Sequence, residues 1–151
     1  MKEFIIKKHY NLPQKKIFKI STDVKNFHNV MPHYFKSLYV ISETQNEKIV
    51  LEKIFFFGLT LNVKTKHVIK APYIHEVYIL SGPTRGTVFI ESYTQNDNKT
   101  LISINVKLKM PRFLCIFGFL EEFVANKMNQ VTDEFISASE KYALVHMSSN
   151  C

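Results

Sequence analysis

Apolar and polar positions along this 151-residue chain follow first a strand-like and finally a helical rhythm. Glu3 to Tyr10 mixes β-branched, aromatic and charged residues and reads as a strand. Pro13 marks the start of a short helix to Ser21, because its fixed φ suits the first helical turn, and Ile17, Phe18 and Ile20 give that helix an apolar patch. Asp23 reads as the N-cap of a second short helix, Val24 to Val30, which Pro32 stops.

Six further strands follow. Lys36 to Ser42 and Lys48 to Phe57 flank a polar turn at Gln45-Asn46-Glu47, and Gly58 breaks the second of them. Leu61, Val63, Thr65, His67 and Ile69 then alternate with Asn62, Lys64, Lys66, Val68 and Lys70, the cleanest half-buried strand in the chain. Tyr73 to Leu80, Thr87 to Gln95 and Thr100 to Met110 complete seven strands. In the last, Ile102, Ile104, Val106 and Leu108 oppose Ser103, Asn105, Lys107 and Lys109.

From Phe113 the apolar spacing becomes three and four, through Ile116, Phe117, Leu120, Phe123, Val124, Met128, Val131, Phe135 and Ile136 to Tyr142. This predicts one amphipathic helix of about 30 residues, whose long apolar stripe needs a broad cover. An antiparallel meander with one apolar and one lysine-studded face can curl around it, which makes the fold α+β. Residues 1–145 form a single domain in this reading, with 146–151 as a disordered tail.

Composition adds thirteen Phe and seven Tyr against no Trp and four Gly, a stock of flat rings for a core or a cavity wall. The longest apolar runs fall well short of the roughly 20 residues of a membrane span, and the N-terminus lacks a secretory apolar segment, so a cytoplasmic protein is expected. Cys115 and Cys151 lack the spacing and company of metal ligands, and Cys115 reads as a buried small hydrophobe. The net charge of +7 divides into +8 on residues 1–70 and −1 on residues 71–151. Eighteen of the twenty basic residues are Lys, whereas bidentate phosphate and base recognition favours Arg. A solvated lysine-rich sheet face therefore accounts for the charge better than a specific nucleic-acid surface, with a transient membrane-surface contact left open.

The order of elements resembles the START/polyketide-cyclase (SRPBCC, helix-grip) superfamily over nearly the whole chain. Residues Phe4 to Phe18 look like its first strand, the proline after it and the hydrophobic pair of its first helix. Thr22-Asp23-Val24-Lys25-Asn26-Phe27 is similar to its second short helix, with Pro32 behind it, and Phe135 to Tyr142 to its helix ending. The branch suggested is the polyketide cyclase and coenzyme Q-binding START-like group, although Thr87 to Tyr93 carries no Trp where that branch often has one. The resemblance implies a cavity between sheet and helix for a lipid, quinone or polyketide-like molecule. Some members of the family are cyclases, and many are carriers.

The expected ligand-facing residues are Val63, Thr65, His67, Phe89, Glu91, Tyr93, Ile104 and Val106 on the sheet, with Phe117, Leu120, Val124 and Met128 on the helix. His67 is the sharpest polar candidate, either as a satisfied structural histidine or as a hydrogen-bond partner for a ligand. The face taken by Glu91 and Tyr93 is open. An inward Glu91 would have its pKa raised by burial and could serve as a general acid. His9, His28, His33, His75 and His146 are scattered and form no ligand set, and no metal or cofactor is expected. The expected activity is carriage of a hydrophobic small molecule by a monomer or weak dimer. Alternatives are a cyclase or dehydratase using His67, Glu91 or Tyr93, and a lysine-rich interaction module.

Overall fold

A computed structural model describes residues 1–56, 58–114 and 116–146. Seven strands form one antiparallel sheet in the order β1-β7-β6-β5-β4-β3-β2. They are β1 (Lys2–Tyr10), β2 (Phe35–Glu43), β3 (Glu47–Phe56), β4 (Leu59–Lys70), β5 (Ile74–Ile79), β6 (Val88–Asn96) and β7 (Lys99–Leu108). The meander β2 to β7 thus receives β1 on its far edge, and β1 and β2 are the two outer strands. The chain crosses between these edges through α1 (Gln14–Thr22), a 3-10 turn (Val24–Asn26) and α2 (Phe27–Val30).

Side-chain alternation agrees with the sequence pattern. Ile102, Ile104, Val106 and Leu108 are buried, and so are Val63, Thr65 and His67. Lys64 and Lys70 lie exposed on the opposite face of β4. The edge strand β2 shifts register after Phe35 and again after Val40, the kind of irregularity that discourages pairing with another chain. Asp97 takes a left-handed φ of 55° in the β6–β7 turn, which short polar side chains tolerate.

The long helix α3 runs from Phe119 to His146, 28 residues. It starts six residues later than the spacing predicts. Arg112–Leu114 form a 3-10 turn instead, and Gly118 precedes the helix. The physical reason lies in the composition of 113–119, which is apolar on every side and includes glycine, the poorest helix former after proline. An all-apolar helical turn there would gain little, because only one of its faces could be covered. Phe117, expected on the inward helical stripe, precedes α3 and is 48% exposed. Pro13 stands just outside α1 rather than within it, and Asp23 makes no side-chain cap hydrogen bond. His146 belongs to α3, where its Nδ1 lies 3.3 Å from the Tyr142 carbonyl oxygen, so the helix reaches one residue into the expected tail. Cys115 and residues 147–151 lie outside the described residues, and among those described no helix is long and apolar enough to cross a membrane.

The main core joins Ile6, Tyr10, Ile17, Phe18, Tyr93, Ile102, Ile104, Val106 and Leu108 to Val124 and Ile136 of α3. Full burial of a Val or Ile side chain contributes about 1.5–3 kcal/mol, so this layer carries much of the attachment of α3 to the sheet. Polar ties reinforce it. Lys8 Nζ lies 2.9 Å from Asp133, the Tyr34 hydroxyl donates to Glu134 at 2.6 Å, and the Asn11 amide donates to Glu140 at 2.8 Å.

Candidate functional site

Strand register decides the face of Glu91 and Tyr93. Glu91 pairs with Ile104 and Tyr93 with Ile102, and directly opposed residues in an antiparallel pair share a face. Both therefore point to the concave side with the buried Ile102 and Ile104. His75 pairs with Glu91 across β5 and β6 and also lies inward. On β3, Val50 pairs with Thr65 and Glu52 with Val63, which turns Glu52 inward as well.

These side chains form a hydrogen-bonded chain across four adjacent strands, about 14 Å at a strand spacing of ~4.8 Å. Glu52 Oε1 is 3.3 Å from His67 Nε2, and Thr65 Oγ1 is 3.0 Å from the same nitrogen. His67 Nδ1 is 3.0 Å from His75 Nε2, with the two rings nearly parallel at 19°. His75 Nδ1 donates to Glu91 Oε2 at 3.0 Å, and the Tyr93 hydroxyl donates to the same oxygen at 2.5 Å. His67 and His75 are 2% and 1% exposed, so water cannot substitute for these partners.

Burial alone would raise the pKa of Glu91. The charge and hydrogen bond of His75, the Tyr93 hydrogen bond and the charge of His67 outweigh it, and the carboxyl ends below its usual range. The expectation of a raised Glu91 acting as a general acid is thereby corrected. Enclosure among donors makes it a carboxylate. Burial pushes the Tyr93 and Tyr10 phenols well above the usual tyrosine range, and the Glu91 charge adds to both shifts. The Ser21 hydroxyl of α1 faces both phenols, is itself buried, and makes no hydrogen bond of good geometry. Glu91 keeps 19% of its side-chain surface exposed while its two partners are almost closed off.

Four of the twelve expected residues, Thr65, His67, Glu91 and Tyr93, meet in this chain. Val63, Ile104, Val106 and Val124 are buried around it, and Phe89, Leu120 and Met128 are half-buried. Sequence reasoning missed Glu52 and His75, and the view of His75 as one of the scattered histidines is corrected. Counting back through the β5–β6 turn places His75 opposite Glu91, a signal present in the chain but dependent on the exact register. The four acid–base groups are strung out in line, and among the described residues no three metal-ligating side chains converge on one point.

Two open depressions lie apart from the chain, and none of the twelve expected residues lines either. One, about 680 Å³, is bounded by Val30, Met31, Pro32, His33 and Tyr34 after α2, by Phe55 and Gly58 at the β3–β4 turn, and by Phe123, Lys127, Gln130, Glu134 and Ala138 of α3. The other, about 560 Å³, lies along α2 and the C-terminal half of α3. Phe27 shares α2 with Val30, which lines the first depression, and its ring reaches the polar chain. Its centroid lies 6.2 Å from that of His67, 5.1 Å from that of Phe35 and 5.8 Å from that of Phe135. Phe123 lines this depression and is exposed, as are Leu59, next to Gly58, and Phe119, one helical turn before Phe123; Phe113 and Ile116 are exposed in the segment that leads into α3.

A curved seven-stranded antiparallel sheet with two short helices between its edge strands and a long C-terminal helix across its concave face is a specific arrangement, and solved structures repeat it over the whole chain. The protein TTHA0849 from Thermus thermophilus superposes with a TM-score of 0.80 at 12% identity, covering 97% of this chain and 100% of its own. The chain has the helix-grip, START-like fold. Zhui aromatase/cyclase from Streptomyces sp. R1128 matches this fold at TM-score 0.75 and 11% identity, over 99% of this chain and 98% of that one. Ara h 8.0201 matches at 0.74 and 16%, over 96% and 99%. No family model and no curated protein matches the sequence. At these identities the helix grip is shared as architecture, and side-chain chemistry has to be argued from this chain alone.

Proposed function

We propose that this helix-grip protein binds and carries a hydrophobic small molecule between the concave face of its sheet and α3. The observation that carries the reading is the depression of about 680 Å³ between α3, the segment after α2 and the β3–β4 turn. Its volume falls within the roughly 300–1,000 Å³ of small-molecule sites, and its wall is mostly apolar with a few polar groups. Displacement of Phe27 would extend it toward the polar chain, where Phe89, Ile104, Val106, Leu120, Val124 and Met128 supply apolar walls and Thr65, His67, Glu91 and Tyr93 the polar contacts. Native mass spectrometry of freshly purified protein, followed by extraction, tests this reading. Retained small-molecule mass in the native protein, lost in Ala138→Trp, supports it. Retention unchanged by Ala138→Trp would place the bound molecule elsewhere.

A second reading, acid–base chemistry on the bound molecule, is favoured by the chain from Glu52 to Tyr93. Aromatase/cyclases share the architecture, which makes the substrate class of interest an oxygen-bearing, polyketide-like molecule. His67→Ala and Glu91→Ala variants that turn over such a substrate as fast as the parent protein would remove these residues from any catalytic role.

A further inference from the structure

Strand register defines two ends of the sheet. At one of them β1 and β6 begin, β5 and β7 finish, and the β3–β4 turn closes, because Lys2 pairs with Leu108, Val88 with both Lys107 and Tyr78, Thr65 with Ile79, and Phe56 with Leu59. Large apolar side chains stand uncovered there. Leu59 is exposed after the β3–β4 turn, and Phe113, Ile116, Phe117 and Phe119 are exposed between β7 and the first turn of α3. Ile116, at 79%, is the most exposed large apolar residue among those described, and the rings of Phe117 and Phe119 lie 6.2 Å apart. Residues 113–119 are all apolar except for Gly118. The segment also bonds to itself, the Leu114, Phe117 and Leu120 amides donating to the Pro111, Leu114 and Phe117 carbonyls at 3.0, 3.1 and 2.9 Å. Backbone satisfied in this way can enter a medium that offers no hydrogen bonds.

The cations of this end complete the picture. The chain has two arginines, and both stand here: Arg85 in the β5–β6 connection and Arg112 beside Phe113. The Lys109 side chain runs against Gly86, next to Arg85. All three are exposed, and among the described residues none of them forms an ion pair. The acids at this end are Glu3, Glu121 and Glu122, and Glu122 already lies 3.7 Å from Lys2. Three cations without a counter-charge, two of them guanidinium groups suited to bidentate phosphate contact, thus flank an uncovered apolar segment.

We propose that this end of the sheet docks on an anionic phospholipid surface, with Phe113, Ile116, Phe117 and Phe119 seated at the acyl boundary and Arg85, Lys109 and Arg112 on the phosphates. A protein partner covers one face of a segment, which would leave part of 113–119 in water. A lipid layer surrounds such a segment and needs no matching spacing of side chains. Gly58 and Phe123 at this end belong to the wall of the depression of about 680 Å³, so docking brings that wall to the lipid. The docking stands independently of what the depression holds.

Sedimentation of the full chain with vesicles tests this. Vesicles of phosphatidylcholine with about one-third phosphatidylserine should carry the protein down, and phosphatidylcholine alone should do so about ten-fold less well. Phe113→Ser with Phe119→Ser should weaken binding to the anionic vesicles about ten-fold, and Arg85→Gln with Arg112→Gln should remove the preference for them. Lys15→Gln with Lys99→Gln removes the same charge at the opposite end of the sheet and should leave binding within about two-fold. Equal losses in the two charge variants would mean adsorption by net charge and would overturn the proposal. Because the chain has no Trp, Phe119→Trp is a single reporter, which lipid brominated on its acyl chains should quench. Tyr73→Trp, exposed at the opposite end, should stay unquenched, and an unquenched Phe119→Trp on bound vesicles would overturn the seating. A dimer abolished by Phe113→Ser with Phe119→Ser, without vesicle binding, would assign the surface to a second copy instead. The soluble apolar probe 2-methoxynaphthalene reads the depression separately. Binding of this probe without vesicle binding would remove the docking and leave the container standing.

Discussion

From Val131 to Tyr142, α3 is fastened on several sides. Asp133, Glu134, Glu140 and Tyr142 each meet a partner from β1, the α1–α2 region or the segments flanking them, and Ile136 and Ser139 are buried. From Phe119 to Lys127 only Val124 is buried, and the one ion pair among the described residues, Lys2 with Glu122, is open at 3.7 Å with Glu122 mostly in water. One helix thus combines a densely fastened half with a sparsely held one, and the depression of about 680 Å³ runs along both, from Phe123 to Ala138. The sparsely held half is the one that can rearrange while the other stays fixed.

Truncation of the fastened half should have the largest effect. Ile136 is 8% exposed in the main core, and Ile136→Ala is expected to cost about 2–5 kcal/mol by lost transfer energy and cavity formation. Urea denaturation measures this. A cost below about 1 kcal/mol would mean that the C-terminal half is no better packed than the mouth, and the contrast would collapse.

Tyr93 and Tyr10 sharpen the contrast through pH. Both phenols are held well above the tyrosine range of about 10 found in unfolded chains. A raised folded pKa gives stability that is complete below pH ~10 and is lost as pH rises beyond it, since unfolding then releases protons. The loss should approach about 1.4 kcal/mol per pH unit for each phenol. Tyr34 and Tyr78 are raised too, so Tyr93→Phe should make the alkaline limb shallower by about 1.4 kcal/mol per pH unit without abolishing it. It should also cost about 1.5–3 kcal/mol at neutral pH, where Glu91 loses a charge-assisted hydrogen bond. At the acid end the sign reverses. Glu91 lies below the usual carboxylate range, so its contribution is present above an unfolded pKa of about 4.3 and is lost as pH falls through its folded value. Glu91→Gln should flatten that acid limb.

A smaller effect is expected for the tie between Lys8 and Asp133, whose carboxylate side is 58% exposed. A double-mutant cycle with Lys8→Met and Asp133→Asn should give a coupling of about 0.2–1 kcal/mol, weakened by salt. A coupling above about 2 kcal/mol would shift the fastening of α3 from apolar packing to charge.

These outcomes bear on what the sequence could reveal. Period-two alternation in β4 and β7 located the inward face residue by residue, because burying one face of a strand leaves a pattern that a one-residue slip would destroy. The chain from Glu52 to Tyr93 was legible only in part. Thr65 and His67 lie on a strand whose face was readable, whereas β6 is flanked by half-buried residues on both sides and gave Glu91 no direction. Glu52 and His75 needed cross-strand register, which no single segment carries. The spacing places the start of α3 too early because apolar residues continue through Phe113, Ile116 and Phe117, although these side chains stay 70%, 79% and 48% exposed.

The exposed rings before and at the start of α3 give the smallest expected change in stability and the most direct test of the contrast. Phe113 and Phe119 are each 70% exposed, so folding removes little of their surface from water. Phe113→Ser with Phe119→Ser should change the unfolding free energy by less than about 0.5 kcal/mol per site, as surface substitutions usually do. Exposed apolar patches on soluble proteins commonly mark interaction sites, and Phe119 stands one helical turn before Phe123, which lines the depression. The double variant should therefore bind 2-methoxynaphthalene at least three-fold more weakly at nearly unchanged stability. Loss of stability with unchanged binding would reverse the assignment, making these rings part of the packed structure and leaving α3 without a distinct mouth half.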